Sequence, residues 1–217
     1  MIARRFLLCA AALLALGGCG VLSGRARPGP QPVFSRNVQV VAPAWHAGSE
    51  WQYSDGYGLR VVRVDGPVTT FQRTDDPNQW VSRRGFLRED AQSATTFRKL
   101  LFEDLAPGAG RVLSARRPLT FRREYQAGSV LRTHATTWSV EGEEQVRVPA
   151  GVFDCVILMM RTRSLTDDWT GYERWWYSPQ AENYVRLEYR YGATPPGSRV
   201  LTSYRLAAPA VASGTRN

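Results

Sequence analysis

Two histidines and a few neighbouring carboxylates are the side chains in this sequence that could support acid–base or metal chemistry. His46 and His134 lie far apart, and neither belongs to the H-x-x-x-H pattern of a zinc site. The glutamates within residues 141–144 are predicted to surround a turn, and Asp167-Asp168 lack the alternating oxygen ligands of a calcium loop. No phosphate-binding glycine loop and no G-x-S-x-G nucleophile motif is present. The sequence therefore predicts a protein that is not an enzyme, with no catalytic residue, no cofactor and no metal.

Chemistry of another kind is indicated at Cys19. The chain begins with a basic pair, Arg4-Arg5, which is followed by an apolar run from Phe6 to Leu16 and then by the letters GGC. This order is typical of a secretory signal. The run is too short to cross a bilayer, since a spanning helix needs about twenty apolar residues. We therefore expect residues 1–18 to be a signal peptide.

The segment LGGC at residues 16–19 resembles the lipobox of bacterial lipoproteins. The resemblance implies that the Cys19 thiol receives a diacylglyceryl group, that the chain is cut before Cys19, and that the new amine is acylated, for example with palmitate. Three acyl chains exceed the two signals needed for stable anchoring. The alternative is an ordinary signal peptide that contains a cysteine. Because Gly20, and not aspartate, follows Cys19, we expect an outer-membrane lipoprotein that faces the periplasm, with the inner membrane as the alternative.

Composition divides the remaining chain into three parts. Residues 19–36 are rich in Gly, Pro, Ser and Arg and lack hydrophobic periodicity, so they are predicted to form a flexible tether behind the lipidated cysteine. Residues 37–206 are long enough for one periplasmic domain with a sizeable core. Residues 207–217 (AAPAVASGTRN) are predicted to be a disordered tail.

The domain is predicted to be all-β: a mainly antiparallel meander, curved sheet or partly open barrel. Alternating runs follow one another at spacings of about 8–12 residues, as in sandwiches and barrels. Asp65-Gly66-Pro67 separates two of these runs as a hairpin turn, and Pro149-Ala150-Gly151 leads into a long apolar strand. Residues 89–105 carry an apolar stripe close to the helical period, so a helix is expected in this segment, and the domain is predicted to contain at most one or two short helices.

Cys155 is the one thiol left after the signal is removed and Cys19 is lipidated, so no intrachain disulfide can form. It lies within the apolar run 152–160, and such a cysteine usually packs as a small hydrophobe. A nucleophilic or redox role is the alternative.

Charge is strongly unbalanced. The chain carries a formal charge of +9, or 9 − 2 = +7 without Arg4 and Arg5. Attraction to an anionic partner, such as lipid head groups or nucleic acid, is one interpretation. We favour arginines scattered over solvated strand faces, and nucleic acid is not an expected partner of a secreted lipoprotein. The scattered set is Arg60, Arg63, Arg73, Arg122, Arg123, Arg132, Arg186 and Arg190.

Three motifs lie close together in the second half of the chain. They read VPAGVFDC at residues 148–155, ERWWYSP at residues 173–179 and YVRLE at residues 184–188. This set resembles the TapB-like group of Gram-negative envelope proteins and its relatives of unknown function, whose pattern is V-P-A-G-x-F, W-Y-[SA]-P and V-[RK]-x-E. The resemblance implies an antiparallel, partly barrel-like β fold. It implies no catalytic residues, because none is established for that group.

Two adjacent tryptophans indicate which face of the sheet is buried and which is exposed to solvent. On a strand, Trp175 and Trp176 must point to opposite faces. If residues 179–183 form the loop of a hairpin, Trp175 lies opposite Leu187 and Trp176 opposite Arg186. We then expect Trp175 inside the domain and Trp176 on an exposed face, stacked on Arg186. Tyr177, Val185, Tyr189 and Tyr191 are predicted to point inward with Trp175.

Two functions remain open. The first is a carrier that binds a lipid or another apolar small molecule in a curved β domain, with a cavity of roughly 300–1,000 Å³. The second is a protein-interaction accessory of a cell-envelope assembly or secretion machine, which needs an exposed edge or patch. Structural packing of the aromatic residues is the alternative to a ligand site. The candidate ligand-binding residues are Trp175, Tyr177, Tyr189, Trp176 and Arg186.

Overall fold

A computed structural model describes residues 37–92, 97–101, 105–106, 108–127 and 130–208. Those residues form fourteen strands and no helix. The predicted all-β fold class is therefore confirmed. No helix in the described part is long and apolar enough to cross a membrane. The predicted signal peptide and tether lie outside these residues, as does the predicted tail apart from Ala207 and Ala208.

The strands are short in the first half of the chain and long in the second. They are β1 (Gln39–Val41), β2 (Glu50–Tyr53), β3 (Gly58–Asp65), β4 (Val68–Arg73), β5 (Trp80–Arg84), β6 (Leu87–Gln92), β7 (Phe97–Leu101), β8 (Val112–Ser114), β9 (Leu119–Ala127), β10 (Val130–Val148), β11 (Gly151–Ser164), β12 (Thr170–Ser178), β13 (Asn183–Tyr191) and β14 (Gly197–Arg205).

Twelve of these strands form one curved sheet that does not close into a barrel. Its order is β6-β5-β4-β3-β2-β14-β13-β12-β11-β10-β9-β7, and every neighbouring pair is antiparallel. Strands β1 and β8 form a separate antiparallel pair. Because the sheet curls, side chains of β5 and β6 contact those of β12. The common core lies on this concave side.

Both turns proposed from the sequence are present. Asp65 pairs with Val68, so Gly66 and Pro67 form the turn, and Gly66 has a φ of 51°, which is strained for residues with a side chain. Val148 pairs with Gly151, so Pro149 and Ala150 connect β10 to β11. The VPAG motif therefore closes the longest hairpin of the fold.

Strand β10 corrects one expectation about the carboxylates. The predicted turn around residues 141–144 is wrong, because the strand is continuous from Val130 to Val148. The ladder with β11 instead skips Glu141 between Val140 and Gly142, which is a β-bulge. Bulges bend a strand without ending it.

The helix expected within residues 89–105 is also wrong. Leu87–Gln92 pairs with β5 as strand β6, and Phe97–Leu101 pairs with β9 as strand β7. Both neighbours supply backbone hydrogen-bond partners, and such tertiary pairing overrides a weak helical pattern. The described residues contain no helix, which agrees with the predicted limit of at most one or two short helices.

Candidate functional site

Trp175 lies on the concave side of the sheet, which we call the inner side. It is 3% exposed, and its ring meets Trp138 edge-on at 5.1 Å and Tyr184 at 5.1 Å between centroids. The guanidinium of Arg83 stands 4.9 Å above the ring of Trp175. The inward placement of Trp175 is therefore confirmed.

Trp176 points to the opposite, outer side, and it is buried as well. The predicted register is confirmed at this point, since Trp175 pairs with Leu187 and Trp176 with Arg186. Arg186 lies 4.3 Å above the Trp176 ring, as expected. The exposed face is wrong, because Trp176 is only 4% exposed.

The β10–β11 hairpin explains why Trp176 is buried as well. It extends past the end of β12, and its tip reaches β14, where Ala150 N–H donates to Leu201 O at 3.2 Å. Phe153 packs against Tyr204 with 5.9 Å between ring centroids. The same hairpin supplies Glu144, whose carboxylate accepts a 2.7 Å hydrogen bond from the Trp176 indole. The end of β12 at Trp176 is therefore covered on its outer side by the chain itself.

The hairpin loop after β12 is one residue shorter than expected. Ser178 pairs with Asn183, so residues 179–182 form the loop, and the register shifts between Trp176 and Tyr177. Tyr177 is 2% exposed and contacts Phe86 edge-on at 5.1 Å. Burial raises the pKa of the Tyr177 phenol, and the nearby carboxylate of Glu182 raises it further.

The five predicted ligand-binding residues do not converge on one pocket. Trp175 and Tyr177 are packed in the inner core. Trp176 and Arg186 form a stack on the outer side. Tyr189 is half-buried, and its hydroxyl accepts a 3.5 Å hydrogen bond from Arg199. A binding role for these residues stays a prediction.

A buried ion cluster beside Trp175 was not predicted. Glu173 is 3% exposed and accepts hydrogen bonds from the Trp175 indole at 2.8 Å and from the Tyr191 hydroxyl. Its carboxylate also pairs with Arg88 at 3.3 Å. Burial alone would lower the pKa of Arg88, but the charge of Glu173 raises it above its usual range. Strand alternation could have indicated this cluster, because residues 173, 175 and 177 share one face.

The ion cluster lines a small cavity on the inner side. Arg83 and Arg123 line it together with Arg88 and Glu173, and its volume is about 10 Å³. That is roughly the space that one water molecule needs. Arg83 is 2% exposed and stands 4.9 Å above the Phe71 ring as well as above Trp175. Around these residues, the concave side is therefore filled with protein atoms.

The histidines do not form a reactive pair. His134 is fully buried on β10 and stacks on Trp169 at 4.6 Å between ring centroids, while His46 lies in a loop before β2. Within the described ranges, no group of three or more His, Cys, Asp or Glu residues could hold a metal ion. Glu141 forms ion pairs with Arg161 at 2.9 Å and Arg174 at 3.1 Å, so it is held on the sheet surface.

Cys155 is buried on the β10–β11 hairpin, as predicted, with 3% of its surface exposed. Its thiol donates to the carbonyl of Phe153 at 3.5 Å. Burial raises the pKa of the Cys155 thiol to about 12, and the charges of Glu144 and Asp154 add to the shift. Because the thiolate is the nucleophile, this position disfavours reactivity.

We expect Cys155 to resist a thiol reagent in the folded protein and to react fully after denaturation. An unfolded thiol ionises near pH 8.5, whereas the folded one keeps its proton to about pH 12. Its contribution to stability is therefore complete below about pH 8.5 and is lost as the pH rises towards 12. Denaturant titrations at several pH values should show that the free energy of unfolding falls less between about pH 8.5 and 12 for Cys155→Ala than for the unmodified chain. Rapid labelling of the native protein would instead indicate an accessible thiol.

The outer side of β11, β12 and β13 carries a shallow concavity of about 770 Å³. Four arginines line it, and we call this set the arginine face: Arg161, Arg163, Arg174 and Arg190. They come from three strands that the sequence separates by turns. The expectation that the arginines do not cluster is therefore wrong for this set.

A second concavity, of about 670 Å³, lies beside the β10–β11 hairpin. Glu143, Glu144 and Asp154 line it, and no arginine or lysine does; we call it the acidic groove. Asp154 precedes Arg163 by nine residues on β11, which corresponds to about 30 Å along an extended strand, and an odd spacing places the two side chains on opposite faces. The surface of the domain therefore separates negative and positive charge.

Comparisons with known proteins concern the fold only. No protein-family model matches the sequence, and no curated protein is significantly similar to it. The hypothetical lipoprotein YmcC from Escherichia coli (K12) is 10% identical over 76% of this chain and 90% of its own, with a TM-score of 0.49. A candidate lipoprotein from Parabacteroides distasonis is 16% identical over 76% and 98%, with a TM-score of 0.42. A candidate exported protein with a YmcC-like fold from Bacteroides fragilis is 13% identical over 76% and 99%, with a TM-score of 0.45.

At these identities and TM-scores, the similarity assigns neither a family nor a function to the chain. None of the three structures tests the resemblance of residues 148–188 to the TapB-like group. That resemblance stays a prediction from the motifs. The function must therefore be argued from the residues of this chain.

Proposed function

We infer that this chain is a lipid-anchored, non-catalytic protein of the cell envelope that works as an interaction accessory. Its anchor is Cys19, its tether is residues 19–36, and its folded domain faces the periplasm from the outer membrane. The LGGC segment and the Gly20 that follows it support the anchor and the membrane. The domain binds through its outer surface.

The packing around Trp175 and Tyr177 is the observation that carries this choice. A carrier for an acyl chain needs an apolar cavity of roughly 300–1,000 Å³. The cavity beside Trp175 measures about 10 Å³, and four charged side chains line it together with aromatic ones. Trp175 and Tyr177, which a carrier would use to line its pocket, are packed against Trp138 and Phe86. In the part of the chain that the structure describes, the space around these two side chains therefore offers no room for an apolar ligand without repacking.

The surface of the domain, in contrast, offers two open concavities of opposite charge. The arginine face and the acidic groove measure about 770 and 670 Å³. Complementary charge steers association and selects partners. This arrangement favours an accessory that contacts two different surfaces at once.

Cys19→Ala should abolish the anchor. Without the thiol no diacylglyceryl group can be attached, so we expect an uncleaved or soluble precursor that does not incorporate radioactive palmitate. The unmodified chain should be labelled and should sediment with the outer membrane. Cys155→Ala is the matched control and should be labelled normally, because it retains Cys19 and loses only a buried thiol. Equal labelling of the Cys19→Ala chain would contradict the lipoprotein assignment.

A further inference from the structure

Strand register gathers the arginine face around a single tyrosine. Tyr172 pairs with Arg161 on one neighbouring strand and with Arg190 on the other. Arg163 lies two residues from Arg161 on β11, and Arg174 lies two residues from Tyr172 on β12, so both are on the same side of the sheet. Strands are about 4.8 Å apart and same-face residues about 6.8 Å apart. Four arginine positions therefore lie next to the half-buried Tyr172 on one face of the sheet.

The positive charge of this face is only partly compensated. Glu188 is the one carboxylate that lines the concavity, and it pairs with Arg186. Glu141 lies beside the face and binds Arg161 and Arg174. The side chain of Arg161 is 61% exposed, whereas that of Arg174 is 35% exposed. A face of this kind is complementary to a layer of anionic groups.

The floor of the concavity is made of short side chains, so the guanidinium groups stand at its surface. Ala135 and Thr137 line it from β10 beside Arg163 and Arg161, and Thr170 lines it from β12. Guanidinium groups bind phosphate oxygens in a bidentate way, and tyrosine is enriched where proteins meet the head-group layer. The composition of the face therefore suits a lipid surface that carries phosphate.

We propose that the arginine face docks on the phosphate head groups of anionic phospholipids in the membrane that holds the Cys19 anchor. The proposal rests on the anchor inferred above. Residues 20–36 are seventeen residues long, so the tether spans at most about 60 Å. A domain of this size has a radius of gyration of about 15 Å, so this tether can bring any face to the bilayer.

Docking by this face orients the domain. The acidic groove lies farther along β11, about 30 Å from Arg163 on an extended strand, so it stays clear of the anionic surface that repels it. The membrane thus selects the basic face and leaves the acidic one to other partners. Salt weakens such docking, because exposed charges are screened beyond a Debye length.

The experiment uses the full-length lipidated protein in vesicles of phosphatidylcholine alone or mixed with phosphatidylglycerol. Thr170→Cys places a dye at the arginine face, and Val64→Cys places the same dye on exposed β3 as a control. The mature chain has no other accessible thiol, since Cys155 is buried. A head-group nitroxide lipid should quench the residue 170 dye strongly in anionic vesicles and weakly in neutral ones. The residue 64 dye should show no such difference.

Neutralising the face should release the domain from the anionic surface. For Arg161→Gln, Arg163→Gln and Arg190→Gln, we expect the ratio of docked to undocked protein to fall about fivefold per arginine. A matched set of exposed positions carries the same charge change and should have little effect: Arg60→Gln, Arg63→Gln and Arg205→Gln. Equal effects of the two sets would show attraction by net charge alone and would overturn the proposal.

Vesicle flotation separates this proposal from the proposed function. A lipidated chain floats with neutral vesicles whether or not its face docks. Flotation without quenching at residue 170 would therefore reject docking and leave the anchor standing. A chain that carries no lipid and does not float with neutral vesicles would reject the anchor.

Discussion

Trp176→Ala is expected to lower the free energy of unfolding by about 3–5 kcal/mol, as much as Trp175→Ala. Each substitution empties a buried site, since the two side chains are 4% and 3% exposed. Trp176→Ala also leaves the Glu144 carboxylate without the indole that donates to it at 2.7 Å. Urea denaturation of the two variants, read by far-ultraviolet circular dichroism, measures both losses.

Trp80→Ala is the matched control for these variants. Trp80 lies on β5, is half-buried, and donates to Gln92 in an exposed hydrogen bond of 3.0 Å. Trp80→Ala should lower the free energy of unfolding by about 1 kcal/mol. A cost of 1 kcal/mol or less for Trp176→Ala would mean that the β10–β11 hairpin does not cover the outer side of β12.

Glu173→Gln should lower the free energy of unfolding by about 3 kcal/mol or more, although it changes the shape of the side chain very little. The substitution removes the one carboxylate that lines the small inner cavity, where Arg83, Arg88 and Arg123 carry positive charge. Removing one partner of a buried ion pair leaves a charge that water cannot solvate, which typically costs 3–5 kcal/mol. Arg88 retains some solvent access, so we expect the lower end of this range.

Glu188→Gln tests whether burial is the cause of that cost. Glu188 sits on the neighbouring strand and pairs with Arg186, and the two side chains are 32% and 39% exposed. An exposed pair contributes about 0–1 kcal/mol. If Glu173→Gln were as mild as Glu188→Gln, the inner cluster would be open to water and the interior would not be filled.

Local features of the fold could be predicted from the sequence. Alternation and turn residues gave the hairpin at Gly66-Pro67 and the entry into β11 at Pro149-Ala150. The pairing of Trp176 with Arg186 followed from a loop between two alternating strands. These features depend on residues that are close in the chain, so local pattern determines them.

Features that depend on distant segments could not be predicted. Trp176 is buried by a hairpin tip that reaches β14, and no pattern near residue 176 indicates this contact. The bulge at Glu141 was taken for a turn, because a polar run with glycine fits both. Residues 87–101 form strands because β5 and β9 pair with them.

The candidate sites show the same division between local and distant information. The inward position of Glu173 follows from alternation, but its partner Arg88 lies on β6, in the other half of the sheet. The arginine face combines residues of three strands, which the linear sequence shows as scattered. The chemical type of a side chain can be read from a sequence. Which distant side chains come into contact can be predicted only when the order of the strands in the sheet is known.

Titration of the folded domain, residues 37–206, with a fluorescent fatty acid tests the central claim most directly. Because the described residues leave a cavity of only about 10 Å³ beside Trp175, we predict no saturable binding and no quenching of tryptophan emission by the probe. Saturable binding of one probe per domain, with quenching of the tryptophans, would show that the interior opens to an apolar ligand. That result would contradict the surface-acting accessory and restore the carrier.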